Sequence, residues 1–460
     1  MEQKNLKGVM ALLFMGVLMG ALDLAIIGPA LPVLQSEFAM DNRQLSWLFN
    51  VYILMQLIGT PLFAKSSDRY GRRIVYVICV ALFGIGSLVL IVSPNFESLM
   101  AGRLIQGLGA SGIFPVAAAV IGDTFPKEKQ GSALGMIGAV FGLAFLIGPV
   151  LGGILLRYSW QWLFVINLPI AAGLMIAAWK LLPAAGKTEL KPFDFKGTAL
   201  LTGCLLGLAV GITNLDTGNF AGSFLSLDVW PWLLTGIVLL PLFWSVEKRA
   251  ADPIVRPTFF ASKRIRLTML IAAGVGTTEC AQVFFPALAV AGLNIEAATA
   301  AWLMLPGVFV MMVISPIAGK VVDAIGPGRV IQGALTLVLI GLAIITFTNV
   351  TYWSFIGGTM ILGMGIAALL GAPLRYVVLE EARPEDRAST QGLLNIFLAI
   401  GQLAGAAIVG AVATSLGGGT VGYQSSIGVL AAITLVILLA SLGLRAVRPG
   451  VAPQTTDPGH

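Results

Sequence analysis

Fourteen apolar runs follow one another along the chain, separated by short segments that carry nearly all of its charge. They fall near 8–34, 44–64, 74–94, 97–123, 131–156, 162–182, 196–214, 229–246, 266–292, 297–319, 330–349, 352–379, 387–414 and 425–444. A helix needs roughly 20 apolar residues to cross about 30 Å of hydrocarbon. Each run is therefore read as a membrane-crossing helix, which predicts an all-α integral membrane protein with 14 transmembrane helices. The first run, Val9 to Leu34, is too long for a cleaved signal peptide, whose apolar region is about 7–15 residues, and is read as a retained first span.

Composition excludes the alternatives. The chain is 57% hydrophobic and 11% charged, with a mean hydropathy of +0.92. Soluble domains run near 45–50% apolar and about 25% charged. The net charge of +6 points to no nucleic acid, because its basic residues lie in short loops between apolar runs. Cys79, Cys204 and Cys280 all fall inside apolar runs, and the single histidine is His460, so no metal site, cofactor site or histidine chemistry is expected within the membrane.

Lys and Arg fix the expected orientation. With the N-terminus in the cytoplasm, 25 of the 28 basic residues fall on inner segments or adjoining helix ends. Only Arg43 and Arg157 lie in outer turns, and Arg103 lies within the fourth span. The positive-inside bias then predicts N-in and C-in. Tryptophans at span ends, such as Trp160, Trp162, Trp230, Trp232 and Trp353, match an interfacial aromatic belt.

The loops repeat. "AKSSDRYGRR" (Ala64 to Arg73) follows span two, and "GKVVDAIGPGR" (Gly319 to Arg329) follows span ten, placing Asp68 and Asp323 255 residues apart. "FPKEKQGSALG" from Phe125 is echoed by "RPEDRASTQG" from Arg383, with Pro126 and Pro384 258 apart. Two pairs at nearly one offset predict two pseudo-symmetric six-helix bundles, residues 1–183 and 263–445. Residues 184–262 would link them with two inserted helices, and 446–460 would form a disordered cytoplasmic tail. Transporters built from parallel repeats place substrate between the halves near mid-membrane.

Five motifs carry a family resemblance over essentially the whole chain. "AKSSDRYGRR" resembles the loop signature of the major facilitator superfamily, and "LMAGRLIQGLGAS" (Leu99 to Ser111) resembles its fourth-helix motif. "GPVLGG", with Gly148, Pro149, Gly152 and Gly153, resembles the fifth-helix motif of its antiporters. "LDLAIIGPALP" and "WQWLFVINLP" resemble its 14-helix drug:proton antiporter branch. The first-helix match departs at Ala25 and Gly28, where the motif has Thr and Asn; Ala64 stands where the loop motif has Gly. The resemblance implies a monomeric multi-pass protein of a prokaryote's cytoplasmic (inner) membrane. It would exchange protons for lipophilic, often cationic compounds by alternating access. An exporter of a lipid or a specific metabolite would use the same scaffold. A membrane-embedded enzyme is disfavoured, since no Walker-A loop or GxSxG elbow is present.

Three ionisable residues lie deep in spans: Asp23, Arg103 and Glu279. A charge at a helix centre costs about 2.5–3.5 kcal/mol, so each needs a partner or a role. At 1.5 Å per residue, Asp23 lies roughly 21 Å and Glu279 roughly 18 Å from the inner side, with Arg103 roughly 10 Å from the outer side. Asp23 and Arg103 can meet if helices one and four touch, as the resemblance implies. An adjacent guanidinium favours an ionised carboxylate and burial a neutral one. Asp23 is therefore either a proton-coupling group gated by Arg103 or half of a permanent ion pair. Glu279 is a binder of cationic substrate, a second proton carrier, or a neutral hydrogen-bonded acid. Tyr52, Gln56, Gln106, Gln282, Phe285, Gln391, Asn395 and Gln402 are candidate cavity residues; for Tyr52, Gln56, Gln391, Asn395 and Gln402, polar glue between helices is an equal reading. Asp68, Arg69, Gly71, Arg72 and Asp323 are candidates for a latch that closes the inner side while the cavity faces outward.

Overall fold

The computed structural model describes residues 3–40, 42–183, 194–215 and 220–444. The expected tail and part of the expected linker lie outside these residues. The described chain is helical, with no strand. The first half comprises α1 (Gln3–Glu37), α2 (Asn42–Tyr70), α3 (Arg72–Ile91), α4 (Phe96–Thr124), α5 (Lys127–Leu156), α6 (Trp162–Val165) and α7 (Asn167–Leu181). Then come α8 (Phe195–Thr213), α9 (Phe220–Phe224) and α10 (Trp230–Glu247). The second half comprises α11 (Lys263–Glu279), α12 (Ala281–Leu293), α13 (Ala297–Leu303), α14 (Leu305–Ile325), α15 (Pro327–Phe347), α16 (Tyr352–Gly371), α17 (Pro373–Glu381), α18 (Arg387–Ser415) and α19 (Gly419–Ser441).

Thirteen helical runs among the described residues are long and apolar enough to cross a membrane. The fourteenth expected span lies within α2, a 29-residue helix that is not among the thirteen. Several expected spans are broken helices. The run 352–379 breaks at Ala372 and restarts with Pro373 at the head of α17. Proline lacks the N–H needed to continue the ladder and pushes the preceding residue out of helical geometry. The run 297–319 likewise breaks at Met304, two residues before Pro306. The run 266–292 breaks at Cys280, where a tight Val283 N–H to Cys280 C=O bond replaces the regular ladder.

The sequence repeat recurs in backbone detail. Asn95 caps α4 through a reciprocal box with Ser98, and Thr351 caps α16 through the same box with Ser354. Each box satisfies N–H groups that a helix start leaves open. Gly71 (φ 93°) joins α2 to α3, and Gly326 (φ 86°) joins α14 to α15. Both take backbone geometry close to glycine-only territory, which explains a glycine three residues after Asp68 and after Asp323.

Two large apolar cores form, one mostly from α1 to α5 and α7, the other mostly from α11 to α19; each takes in a few residues across the seam, such as Val322 and Tyr376 in the first and Leu57 in the second, and α8 and α10 join the second. The inserted helices α8 and α10 pack on each other, and α8 also lies along α2 and α18. The principal crossing between halves is α5 on α14, with α2 on α18 beside it. Gly131, Gly135, Gly138 and Gly142 form the α5 side of that crossing. A Cβ at Gly135 would lie 2.6 Å from the Ser315 carbonyl oxygen and 3.0 Å from Gly319 Cα. Further along, Gly148 packs instead on Ala25 of its own half. The halves therefore touch at the end bearing the basic loops and part beyond it. Backbone cannot yield as a side chain would. Gly135→Val is expected to cost about 1–3 kcal/mol through overpacking, read as a lower Tm of the solubilised protein; an unchanged Tm contradicts this crossing.

Candidate functional site

The first half holds a sealed polar cluster. Arg103 on α4 is fully buried and Asp23 on α1 is 5% exposed. Arg103 Nη1 donates to Asp23 Oδ2 at 2.5 Å and to Gln106 Oε1 at 2.7 Å, and Nε donates to the Leu48 carbonyl at 3.3 Å. Gln106 Nε2 donates to Asp23 Oδ1 at 2.8 Å and to Ser87 Oγ at 2.9 Å. Asn167 Nδ2 reaches Asp23 Oδ1 at 3.4 Å. The guanidinium lies 4.4 Å over the Tyr52 ring, which adds cation–π attraction. Gly86 allows this assembly, since a Cβ there would lie 2.5 Å from the Gln106 backbone nitrogen. Asp23 and Arg103 thus meet, with polar groups from α1, α2, α3, α4 and α7 converging on them. Ser87 carried no sequence signal, because it is a lone polar residue in an apolar run, and Asn167 lies in "WQWLFVINLP" with no role read from it.

The second half is more open. Glu279, the last residue of α11, is half-buried, and Gln402 on α18 donates to its Oε2 at 2.8 Å. Solvent therefore reaches this pair, and an ionisable residue within a span is expected to face the bundle interior rather than lipid. Gln56 and Gln282 are half-buried. Tyr52, Gln106, Phe285 and Gln391 are closed to solvent in this conformation. Phe285, expected among the cavity residues, instead packs edge-on against Phe355, ring centroids 6.2 Å apart, inside the second core. The break at Cys280 lies between Glu279 and Phe285, so helical spacing does not carry from one to the other.

Below this layer Arg375 lies between the halves. It is 6% exposed, donates to Asn395 Oδ1 at 3.1 Å, and lies 3.9 Å over the Phe114 ring of α4. Gln391 Nε2 returns a bond to the Arg375 carbonyl at 2.9 Å. Sequence reasoning counted Arg375 among the inner-side cations. Its burial follows from the break at Ala372, which sets α17 against α4.

At the basic end the two repeated loops dock on each other. Asp68 accepts from the Ala388 N–H at 3.0 Å, the Ser389 N–H at 2.7 Å and Ser389 Oγ at 2.5 Å, at the start of α18. Asp323 accepts from the Gly131 N–H and the Ser132 N–H, both at 2.8 Å, near the start of α5. The acceptor in each half thus meets the repeat-related donors of the other. A carboxylate at a helix start gains from the open N–H groups and the helix dipole. Arg72 pairs with Asp68 and with Asp123, and Arg387 of the second half also pairs with Asp123 at 2.8 Å. Arg69 stacks on Tyr70, and the segment after α10 adds Asp252 to Lys65 at 2.6 Å and Arg256 to Asp386 at 3.0 Å.

Of the antiporter-motif residues, Gly148 and Gly152 are buried, while a Cβ on the exposed Gly153 would meet nothing within 4 Å. The Pro149 side chain lies outside the described residues. Among the described residues no three His, Cys, Asp or Glu side chains gather as a metal site.

This arrangement has known counterparts. A relative of Bacillus subtilis (strain 168) named "Uncharacterized MFS-type transporter YfiU" is 34% identical over 406 residues, covering 87% of this chain and 78% of its own. "Multidrug transporter protein MdtP" of the same organism is 27% identical over 88% of this chain and 75% of its own. "Riboflavin transporter RibZ" of Clostridioides difficile (strain 630) is 27% identical over 87% of this chain and 85% of its own. The crystal structure of the human organic anion transporter MFSD10 (TETRAN) superposes with a TM-score of 0.72 at 18% identity, covering 95% of this chain and 99% of that one, which speaks to the fold alone. The profile of the Major Facilitator Superfamily matches twice, at residues 13–278 and 267–459. The chain belongs to the major facilitator superfamily and is a transporter.

Proposed function

We propose that the protein is a proton-coupled antiporter that exports lipophilic, often cationic compounds by alternating access. Fourteen spans would place both termini in the cytoplasm of a prokaryotic inner membrane, with residues 1–183 and 263–445 as the moving halves and the protein acting as a monomer. The basic end is then cytoplasmic, and contact between halves confined to that end describes an outward-facing conformation.

The observation that carries this reading is the unequal treatment of two carboxylates. Asp23 is locked to Arg103 behind a sealed wall, whereas Glu279 faces the cleft beside Gln402. Protonating Asp23 removes the counter-charge of Arg103 and loosens α1 from α4; losing the proton restores the pair. A cycle that exposes Asp23 in turn to each side would couple proton entry to the swing of the halves. Glu279 in the cleft suits a cationic group or a second proton.

A second reading is export of one metabolite. The relative named a riboflavin transporter is as similar as the one named a multidrug transporter. Proteoliposomes with an imposed pH gradient and a panel of lipophilic cations separate the two, since a single-metabolite exporter would move none of the panel. Within that assay Glu279→Gln keeps the hydrogen bond to Gln402 but removes the charge. It is expected to slow cation transport about tenfold or more, the scale of a lost charge-assisted bond. If the efflux of every substrate stays intact, Glu279 has no such role.

A further inference from the structure

Arg375 is a buried cation with no anion in contact. Among the described residues no carboxylate lies within ion-pair distance of it, and its Nε has no hydrogen-bond partner. Its acceptors are neutral amide oxygens, Asn395 at 3.1 Å and Gln391 at a long 3.4 Å. The carboxylates of neighbouring segments are engaged elsewhere. Glu380 and Glu381 pair with Arg264, Asp123 with Arg72 and Arg387, and Asp386 with Arg256. Glu279 accepts from Gln402 and acts on Arg375 only through space, without touching it. The contrast with Arg103, which has Asp23, is direct.

A guanidinium taken out of water with no carboxylate in contact is costly, and the through-space charge of Glu279 offsets only part of that, so its placement suits an anion in direct contact at some stage of the cycle. The position fits a transported one. Arg375 lies on the Phe114 ring, so this contact crosses from the second half to the first. Phe114 in turn packs on Phe141, ring centroids 5.7 Å apart, and Phe141 is 37% exposed. When the halves part at the basic end, the Arg375–Phe114 contact parts with them. The guanidinium then faces the inward cleft, beside an aromatic platform. Guanidinium forks suit carboxylates geometrically, and aromatic faces suit flat apolar bodies.

We propose that Arg375 is the anion-binding residue of the transport cavity, so that the exported amphipaths include molecules bearing a carboxylate on an aromatic body. The inference rests on the export reading above and narrows its substrate class. Together with Glu279 it favours zwitterions, with the acid end held at Arg375.

Matched dyes test it. Rhodamine 110 carries a free carboxylate, and rhodamine 123 is its methyl ester. Binding to the full-length solubilised protein is read by fluorescence anisotropy, with other aromatic acids and their own methyl esters as competitors. Wild type is expected to bind acids about tenfold tighter than their esters, the scale of one charge-assisted pair. Arg375→Gln should erase that preference while leaving ester affinity in place, and Arg375→Lys should keep part of it. If no acid is bound more tightly than its ester by wild type, or the preference survives Arg375→Gln, the proposal is overturned. Equal loss of acid and ester in Arg375→Gln, with no preference kept in Arg375→Lys, also overturns it in favour of a purely structural role. If Arg375→Gln does not fold, wild type and Arg375→Lys decide alone. Should the acid preference hold while no pH gradient drives transport, the export reading fails and the anion site stands.

Discussion

Asp68→Asn combined with Asp323→Asn is expected to shift the protein from closed to open at its basic end. In the closed form each carboxylate receives two backbone N–H groups of the opposite half, and Asp68 also receives Ser389 Oγ and Arg72. Asparagine has the same shape but only one acceptor oxygen, and its NH₂ would face an N–H. Each hydrogen bond to a charged group is worth about 1.5–3 kcal/mol. Losing several across the two sites approaches the ~5.5 kcal/mol that inverts a population from 1:99 to 99:1. Spin labels at the exposed Lys129 and Glu385 flank the seam and read the change as a longer inter-label distance. The single variants should shift the population in the same direction and by less, because the repeat makes the two contacts equivalents. An unchanged distance distribution in the double variant would mean that the reciprocal contacts do not hold the halves together.

Asp23→Asn should have the larger functional effect. Removing one partner of a buried ion pair leaves an uncompensated charge and costs about 3–5 kcal/mol. Arg103 would keep Gln106 and the Leu48 carbonyl, but no counter-charge. Proton-driven transport is expected to fall about a hundredfold or more, since each 1.36 kcal/mol is a factor of ten in rate. Substrate binding should persist, because Glu279 lies in the other half, away from the buried pair. Asp23→Glu, which keeps the charge, should retain part of the activity. Coupled transport at the wild-type level in Asp23→Asn would reduce the pair to a structural one.

Much of this was readable from residues. The apolar runs placed the helices, and two loop echoes disclosed the repeat. The echoes also contained both sides of the reciprocal contact, since Asp68 and Asp323 lie in one pair of loops and their donors in the other. That the acid of each half docks on the donors of its opposite depends on how the halves face each other, and local sequence does not encode this. Arg375 was counted with the surface cations because a span estimated by length alone gives no sign that α17 restarts at Pro373 and lies against α4. The cap boxes at Asn95 and Thr351 were present as Asn-x-x-Ser and Thr-x-x-Ser, a repeat signal that apolar run-length overlooks. Phe285 was counted among the cavity residues, and the helix break at Cys280 is what sends it into the second core instead. Arg387 lies in one of the echoes, but its pairing with Asp123 across the seam again depends on how the halves face each other.

The central claim is that protons and substrate move in opposite directions through one cycle. Its most direct test is proteoliposomes loaded with a pH-sensitive dye, in which a lipophilic cation is added and proton flux is recorded together with substrate uptake. The account predicts that substrate entry on one side is matched by proton exit on the other. Reversing the pH gradient should reverse substrate flux, and Asp23→Asn should abolish the link. Substrate flux indifferent to the pH gradient, or driven equally by a sodium gradient with no proton movement, would contradict it.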